Sequence, residues 1–273
     1  MTDKILILGS SGPISSGLAA RYAGHSVVIG RGPSTDRHFD LEDSRTFGVL
    51  ADIKARHAVF LSAFTGFKPC EDDPHRAFRT NVRQTSEVVA ILNARGIPVT
   101  FLSSSAVFGK CDMEKGEKAS PHPESVYGTT KRLAEREILG APGAFNSVVR
   151  LTKLCDKNLP IFRQWRESVQ KENKLAARRT LRLAPLPLSI VLDHLQRIIE
   201  QRTTGVTHLT SDKDLSYFDL GCSLFPDAQV VAQDEETAAA GTPGEAVLAV
   251  GRPESRAFDL QLCINHIEAE IAD

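Results

Sequence analysis

A chain of 273 residues with 41% hydrophobic residues and a formal charge of −1 can bury a full core, and it carries no basic field suited to nucleic acid or an anionic membrane surface. Its five cysteines, Cys70, Cys111, Cys155, Cys222 and Cys263, show no CxxC spacing and no paired histidines, which favours reduced thiols over disulfides or a bound metal. The opening MTDKILIL holds only four apolar residues before Gly9, too few for a signal segment or a membrane span, so a soluble cytoplasmic protein is expected.

Ile5 to Leu8 is an apolar run, predicted as a buried strand, that feeds straight into GSSGPISSGLAARYAG. A pyrophosphate at a helix N-terminus needs such a turn: one glycine for the tight bend, another for close backbone approach. Gly9 and Gly12 stand in those places, and Ser11, Pro13 and Ile14 complete the candidate cofactor loop. The next strand, Ser26 to Gly30, runs into Arg31 and Gly32 with no acidic residue. An acid there would hydrogen-bond an adenosine ribose hydroxyl, whereas an arginine suits a 2′-phosphate through a charge-assisted fork. NADP is therefore expected in preference to NAD, with Arg31 as its contact and Arg37 or His38 able to serve in its place.

His57 to Phe64 reads as a further apolar strand, and the small residues Ser62 and Ala63 leave room for a ligand at its C-terminal end. Asp73 and Pro74 open a helix as N-cap and first helical residue, and the helix is expected to run on to Gly96. Asn81 lies in its interior, an unfavourable place by propensity. Val99 to Leu102 form another buried strand, ending in the hydroxyl run Ser103-Ser104-Ser105. Tyr127 and Lys131 are four apart in YGTTKRLAEREIL, a segment of helical composition, so phenol and ammonium share a helix face. An unperturbed tyrosine titrates near ~10. A neighbouring lysine cation lowers that value, and a serine at a strand end can hold a carbonyl against the phenol. A sixth strand opens at Asn146 and ends near Arg150, a candidate substrate contact. The alternation of strands and helices predicts an α/β fold, a doubly wound parallel sheet of Rossmann type with the Gly9 loop and the Ser104 strand end on one edge. The expected division is a dinucleotide-binding domain over 1–150 and a smaller C-terminal α+β substrate lobe over 151–273, interleaved at their edges.

Together these residues resemble the extended short-chain dehydrogenase/reductase family. The matches are the strand-end SSSxVFG, Pro123 four before the tyrosine, YxxxK as Tyr127 and Lys131, and Gly9 and Gly12 as the first two positions of that family's GxxGxxG loop. Ser15 departs from glycine at the third, where weakened helix packing rather than lost binding is expected. The resemblance implies Ser104 as the carbonyl-orienting hydroxyl, Tyr127 as acid/base and Lys131 as its partner, the last two also touching the cofactor. It implies that Asn81 holds a water or backbone near the lysine, that Asp40 and Leu41 sit beside the adenine, and that Ser62 and Ala63 face the adenosine and ribose. Ser104 and Ser105 would meet the substrate. Dehydratases of that family carry an Asp-Glu pair after the catalytic hydroxyl, where this chain has Ser105 and Ala106. One kind of sugar epimerase-reductase carries a cysteine at the position of Ala106. Neither chemistry is expected here. Hydride transfer to a keto-sugar on a nucleotide diphosphate is the expected activity, with 4-epimerisation or a non-catalytic redox sensor as alternatives.

Beyond residue 150 the βα rhythm weakens. LPIFRQWRESVQKENKLAA predicts an amphipathic helix in which Trp165 is either core or a sugar platform, and the basic run Lys174, Arg178, Arg179, Arg182 either meets a diphosphate or is a solvated face. LRLAPLPLSIVLDHLQRIIEQ and the segment THLTSDKDLSYFDL after Val206 resemble the later part of sugar-nucleotide reductases, the dTDP-4-dehydrorhamnose reductase group in particular. Cys111 reads as a loop residue, and 227–251 has no assigned role. The expected partner is a nucleotide sugar, with no metal, nucleic acid or membrane; a homodimer is compatible with these readings.

Overall fold

In the computed structural model, the described residues are 3–109, 115–141, 145–233, 248, 250–252 and 254–272. Cys111 lies outside them. The chain opens with β1 (Ile5–Leu8), α1 (Pro13–Arg21), β2 (Ser26–Gly30) and the two-residue β3 (Arg37–His38). Then come β4 (His57–Phe60), the short helices α2 (Phe67–Asp72) and α3 (Pro74–Phe78), α4 (Thr85–Ala94), β5 (Val99–Ser104), α5 (Val126–Gly140) and β6 (Ser147–Leu151). The second half holds β7 (Lys153–Cys155), α6 (Pro160–Glu172), β8 (Lys174–Ala177), β9 (Arg182–Leu183), β10 (Pro185–Pro187) and α7 (Leu188–Gln201). It closes with β11 (Gly205–Ser211), β12 (Leu215–Ser216), α8 (Tyr217–Leu224), β13 (Gln229–Ala232), β14 (Arg256–Phe258) and α9 (Leu260–Ala272).

Eight of the strands form one sheet in the order β14-β11-β6-β5-β4-β1-β2-β3. The pairings of β1 with β2 and β4, of β4 with β5, and of β2 with β3 are parallel. This is the expected doubly wound α/β arrangement, and the strand order turns back on itself at β1, where such sheets open a crevice. Both β1 and β4 are buried along their whole length, which is why they read as unbroken apolar runs rather than alternating ones.

By contact density the chain divides into two units. The first comprises Met1–Gly109, Ser120–Arg150 and Leu192–Thr207; the second comprises Lys110–Ala119, Leu151–Val191 and His208–Asp273. Leu6, Leu8, Ile29, Phe60, Leu92, Phe101 and Val148 belong to the core of the first. The second has its own core, where Trp165 meets Phe162 edge to face at 5.6 Å and its indole N–H donates to the Ala176 carbonyl at 3.1 Å. Trp165 is 3% exposed and is therefore a core residue. Of the basic run, Arg182 pairs with Asp214 and Arg179 lies 3.8 Å over the Phe218 ring.

The helix expected from Pro74 to Gly96 is interrupted. Asp73 caps α3 as predicted, accepting from Arg76 N at 3.0 Å, but Arg79–Gln84 form a π-helical turn before α4 begins. A π turn inserts one extra residue and re-aims the side chains beside it. Here it directs Asn81 inward, and Asn81 is 2% exposed.

At the N-terminal ends of the strands lies a buried polar chain. His57 Nε2 shares a 2.7 Å hydrogen bond with Thr100 Oγ1, which shares another of 2.7 Å with Ser147 Oγ. Asn146 extends it, accepting from Val99 N at 2.9 Å and donating to the Ile138 carbonyl at 3.0 Å. Burial pulls the His57 imidazole down to about 4, with Arg56 and Arg202 acting in the same direction. A group whose folded pKa is depressed below its unfolded value stabilises the fold above the unfolded value. That stability is lost as pH falls from ~6.5 through about 4. We expect this one group to remove about 2 kcal/mol of stability between pH 7 and pH 5. Urea unfolding at both pH values, on the wild type and His57→Asn, checks it: the variant should show a smaller loss, and an identical loss would refute the assignment.

Candidate active site

The cofactor loop begins at Gly9, whose φ of +111° lies in the region that favours glycine. A side chain there would also crowd Ser62, with the backbone nitrogen and hydroxyl both 3.0 Å from the added carbon. Gly9 and Ser62 thus bring the turns after β1 and β4 together, and Leu8 O accepts from both Leu61 N (2.8 Å) and Ser62 N (3.0 Å). Gly12 is the N-cap of α1, with Pro13 at the first helical position and no side chain accepting from the first N–H groups. A carbon added to Gly12 would meet nothing within 4 Å. An open approach to uncapped helix N–H groups fits a pyrophosphate. Ser11 is exposed, Ile14 and Ser15 are buried, and Ala63 is half-buried. Ser15 packs into the position expected of a third glycine.

At the end of β5, Ser104 caps a short 3₁₀ turn over Ser105–Phe108, its hydroxyl accepting from Ala106 N at 3.2 Å. Ser104 and Ser105 are half-buried. The first turn of α5 presses onto this turn because the residue after Tyr127 is Gly128, where any side chain would overlap the Ala106 carbonyl oxygen. Ser125 caps α5 by accepting from Gly128 N at 3.0 Å, and Glu71 accepts from Val126 N at 2.7 Å. The sequence contained the YG pair, but only the contact shows why glycine is required.

Lys131 is 5% exposed and runs beneath Tyr127. Its ammonium donates to the Leu102 carbonyl at 2.9 Å and lies 4.5 Å from the Phe101 ring centroid and 5.9 Å from that of Tyr127. The expected lowering of the tyrosine by the lysine is not found. Burial pushes the Tyr127 phenol up to about 12, with Cys70 adding to the rise. Burial also pulls Lys131 down to about 8, against the upward pull of Glu135 and Cys70. Desolvation is the largest influence on each group and favours its neutral form. At neutral pH the phenol therefore keeps its proton and the ammonium its charge. The sequence reading also missed Phe67, edge-on to Tyr127 at 5.6 Å, and Cys70, a buried thiol donating to the Phe64 carbonyl at 3.5 Å. Both come from α2, for which no sequence signal was read.

Asn81 bonds both backbone groups of Phe64: Oδ1 accepts from Phe64 N at 2.8 Å, and Nδ2 donates to Phe64 O at 2.8 Å. Nδ2 also donates to Thr130 Oγ1 at 3.2 Å, next in sequence to Lys131. Phe64 in turn lies under the Arg76 guanidinium, 4.4 Å from its ring centroid.

Around the second strand end, Arg31 has a side chain 66% exposed, with Nη1 3.7 Å from Glu42. Asp40 accepts from Glu42 N at 2.9 Å, and Leu41 is buried in the core. Arg150, expected near substrate, is 4% exposed. Its guanidinium forks onto Glu135 at 2.7–3.1 Å and lies 5.0 Å from the Phe108 ring centroid. Ser103 also donates to Glu135. These contacts commit Arg150 to the floor beneath the Ser104 turn.

With this geometry in place, the chain belongs to the RmlD substrate binding domain family, whose model matches residues 3–267. It is 29% identical over 140 residues to the GDP-6-deoxy-D-mannose reductase of Pseudomonas aeruginosa, covering 50% of this chain and 46% of that protein. It is 26% identical over 162 residues to the dTDP-4-dehydrorhamnose reductase of Streptomyces griseus, covering 58% and 52%. The chain spans about half the length of the curated relatives it matches. Among solved structures, the dTDP-4-dehydrorhamnose reductase of Bacillus anthracis in complex with NADP superposes with a TM-score of 0.81 at 16% identity, over 100% of this chain and 99% of that one, a likeness of fold.

Replacing Asn81 removes three hydrogen bonds, leaves the part-buried Phe64 N–H without its partner and leaves the Phe64 carbonyl with only the weak Cys70 thiol. Asn81→Ala should cost about 2–4 kcal/mol of stability in urea unfolding, the scale of buried polar groups left unsatisfied. A loss under about 0.5 kcal/mol, the range of ordinary surface changes, would refute this account.

Proposed function

We propose that this chain reduces the keto group of a nucleotide-linked sugar, taking hydride from NADPH in preference to NADH. The observation behind the reading is the contact of α5 with the Ser104 turn, which gathers a hydroxyl, a protonated phenol and an ammonium at one strand end. The loop from Gly9 to Ile14, with Ser62 and Ala63 beside it, would hold the pyrophosphate and adenosine, and Arg31 a 2′-phosphate. Bound there, a reduced nicotinamide supplies the hydride.

The protein's own part is positioning and proton delivery. Ser104 orients the carbonyl by donating a hydrogen bond to its oxygen. Tyr127 gives its proton to that oxygen as the carbon accepts the hydride, so the ketone becomes a secondary alcohol and the phenol a phenolate. Lys131, charged and four residues on, stabilises the developing phenolate. An elimination would need a further acid and base, and Ser105 and Ala106 provide neither. The names of the two curated relatives, both sugar-nucleotide reductases, support this choice of substrate class.

Two outcomes test it. With nucleotide-linked 4-keto sugars as substrates, Tyr127→Phe should lower NADPH turnover by at least ~100-fold while cofactor affinity stays the same. Near-full activity in that variant would end the proposal. The second concerns pH. Lys131 loses its charge as pH rises through about 8, so kcat/KM for reduction should be flat below that value and fall above it. Lys131→Arg should lack that falling limb in whatever activity it keeps, because a guanidinium does not titrate there. A profile whose fall survives the change would assign the limb to another group.

A further inference from the structure

We propose that Glu42 sets how strongly this chain prefers a 2′-phosphorylated dinucleotide, by opposing the phosphate at Arg31; the inference rests on the cofactor reading above. Gly30, the last residue of β2, is crowded against Ser10 and has little room for a side chain. A carbon added at Gly30 would lie 2.5 Å from the Ser10 hydroxyl, which accepts from Gly32 N at 3.2 Å. The carboxylate in this neighbourhood instead arrives from the turn after β3.

Glu42 is not a loose surface acid. Its side chain is 20% exposed, and it accepts from Arg76 Nε at 2.5 Å, from Arg76 Nη2 at 2.8 Å and from the Thr80 hydroxyl at 3.3 Å. Asp40 fixes its backbone N–H, and Arg76 is itself seated over the Phe64 ring. The bonds from Arg76 hold the carboxyl below the usual carboxylate range, so it stays charged at working pH. Arg31 is the freer member, reaching Glu42 only at 3.7 Å from an exposed position.

The two residues therefore pull cofactor choice in opposite directions. A 2′-phosphate engaging Arg31 brings two negative charges toward a carboxylate that is held in place. A ribose 2′-hydroxyl arriving there can donate a hydrogen bond to that carboxylate instead. Neutralising Glu42 should favour the phosphate form alone, on the order of tenfold for a like-charge contact at partial exposure.

The experiment is fluorescence titration of NADPH and NADH into the wild type, Glu42→Gln and Glu42→Asp. For Glu42→Gln the NADPH Kd should fall about tenfold while NADH does not tighten. Glu42→Asp, which keeps the charge but draws it back by one methylene, should move the same ratio less; it also serves if the glutamine variant does not fold. An equal change for both cofactors, or none in either variant, overturns the role of Glu42 while leaving the dinucleotide site standing. Binding of neither cofactor to the wild type overturns the site itself, and this inference with it.

Discussion

One side-chain amide sets the reference frame for the candidate site. Asn81 satisfies both backbone groups of Phe64 and reaches Thr130 on α5, so the turn after β4 and the helix bearing Tyr127 and Lys131 are located from one point. A standard α-helix over 74–94 would not deliver it. The π turn at Arg79–Gln84 does, at the cost of regular helical bonding, and Thr85 closes the turn by donating to the Thr80 carbonyl. The Phe64 ring then seats Arg76, and Arg76 seats Glu42. The chain of dependence thus runs from one buried amide to both Tyr127, the proposed proton donor, and the charged group beside Arg31.

The electrostatics follow from where this frame puts its charges. Tyr127 and Lys131 are shifted in opposite directions by the same cause, loss of water, which drives each toward its neutral form. For the phenol that direction suits an acid that must hold its proton until the carbonyl arrives. For the ammonium it is a liability, and the carboxylate of Glu135 one helical turn on works against it. Glu135, 3% exposed, is met by the Arg150 fork and by the Ser103 hydroxyl, as a buried carboxyl requires. The buried pair beneath the sheet end and the lysine above it form one electrostatic unit.

Much of this was legible in the sequence because a parallel sheet imposes simple patterns. Strands buried on both faces must be continuously apolar, and ligand-facing residues must lie just past their C-terminal ends. Gly9 and Ser62 could be named as candidates on those grounds, and Ser104 among its three serines through the family resemblance. What escaped were effects with no local signature. The π turn depends on a partner 17 residues away in sequence, and the need for glycine at 128 depends on the Ala106 carbonyl. Arg150, at the end of the sixth strand, is expected near substrate, but Glu135, 15 residues earlier, already holds it. The direction of the Tyr127 shift was misjudged because spacing reports proximity and not burial.

The hydrogen-bonded chain from His57 through Thr100 to Ser147 lies at the ends of the strands remote from Ser104 and Gly9. The sheet is stapled at the end away from the candidate site. Two populations of positions result, and they should diverge differently under selection. Changes in the loops beyond Gly9, Gly30, Ser62 and Ser104 can re-tune what is recognised while the strands beneath keep their register. A change at the stapled end leaves a buried polar group without its partner in the sheet, away from the candidate site. A line of descent exploring new ligands would therefore rewrite one end of these strands and leave the other nearly unread.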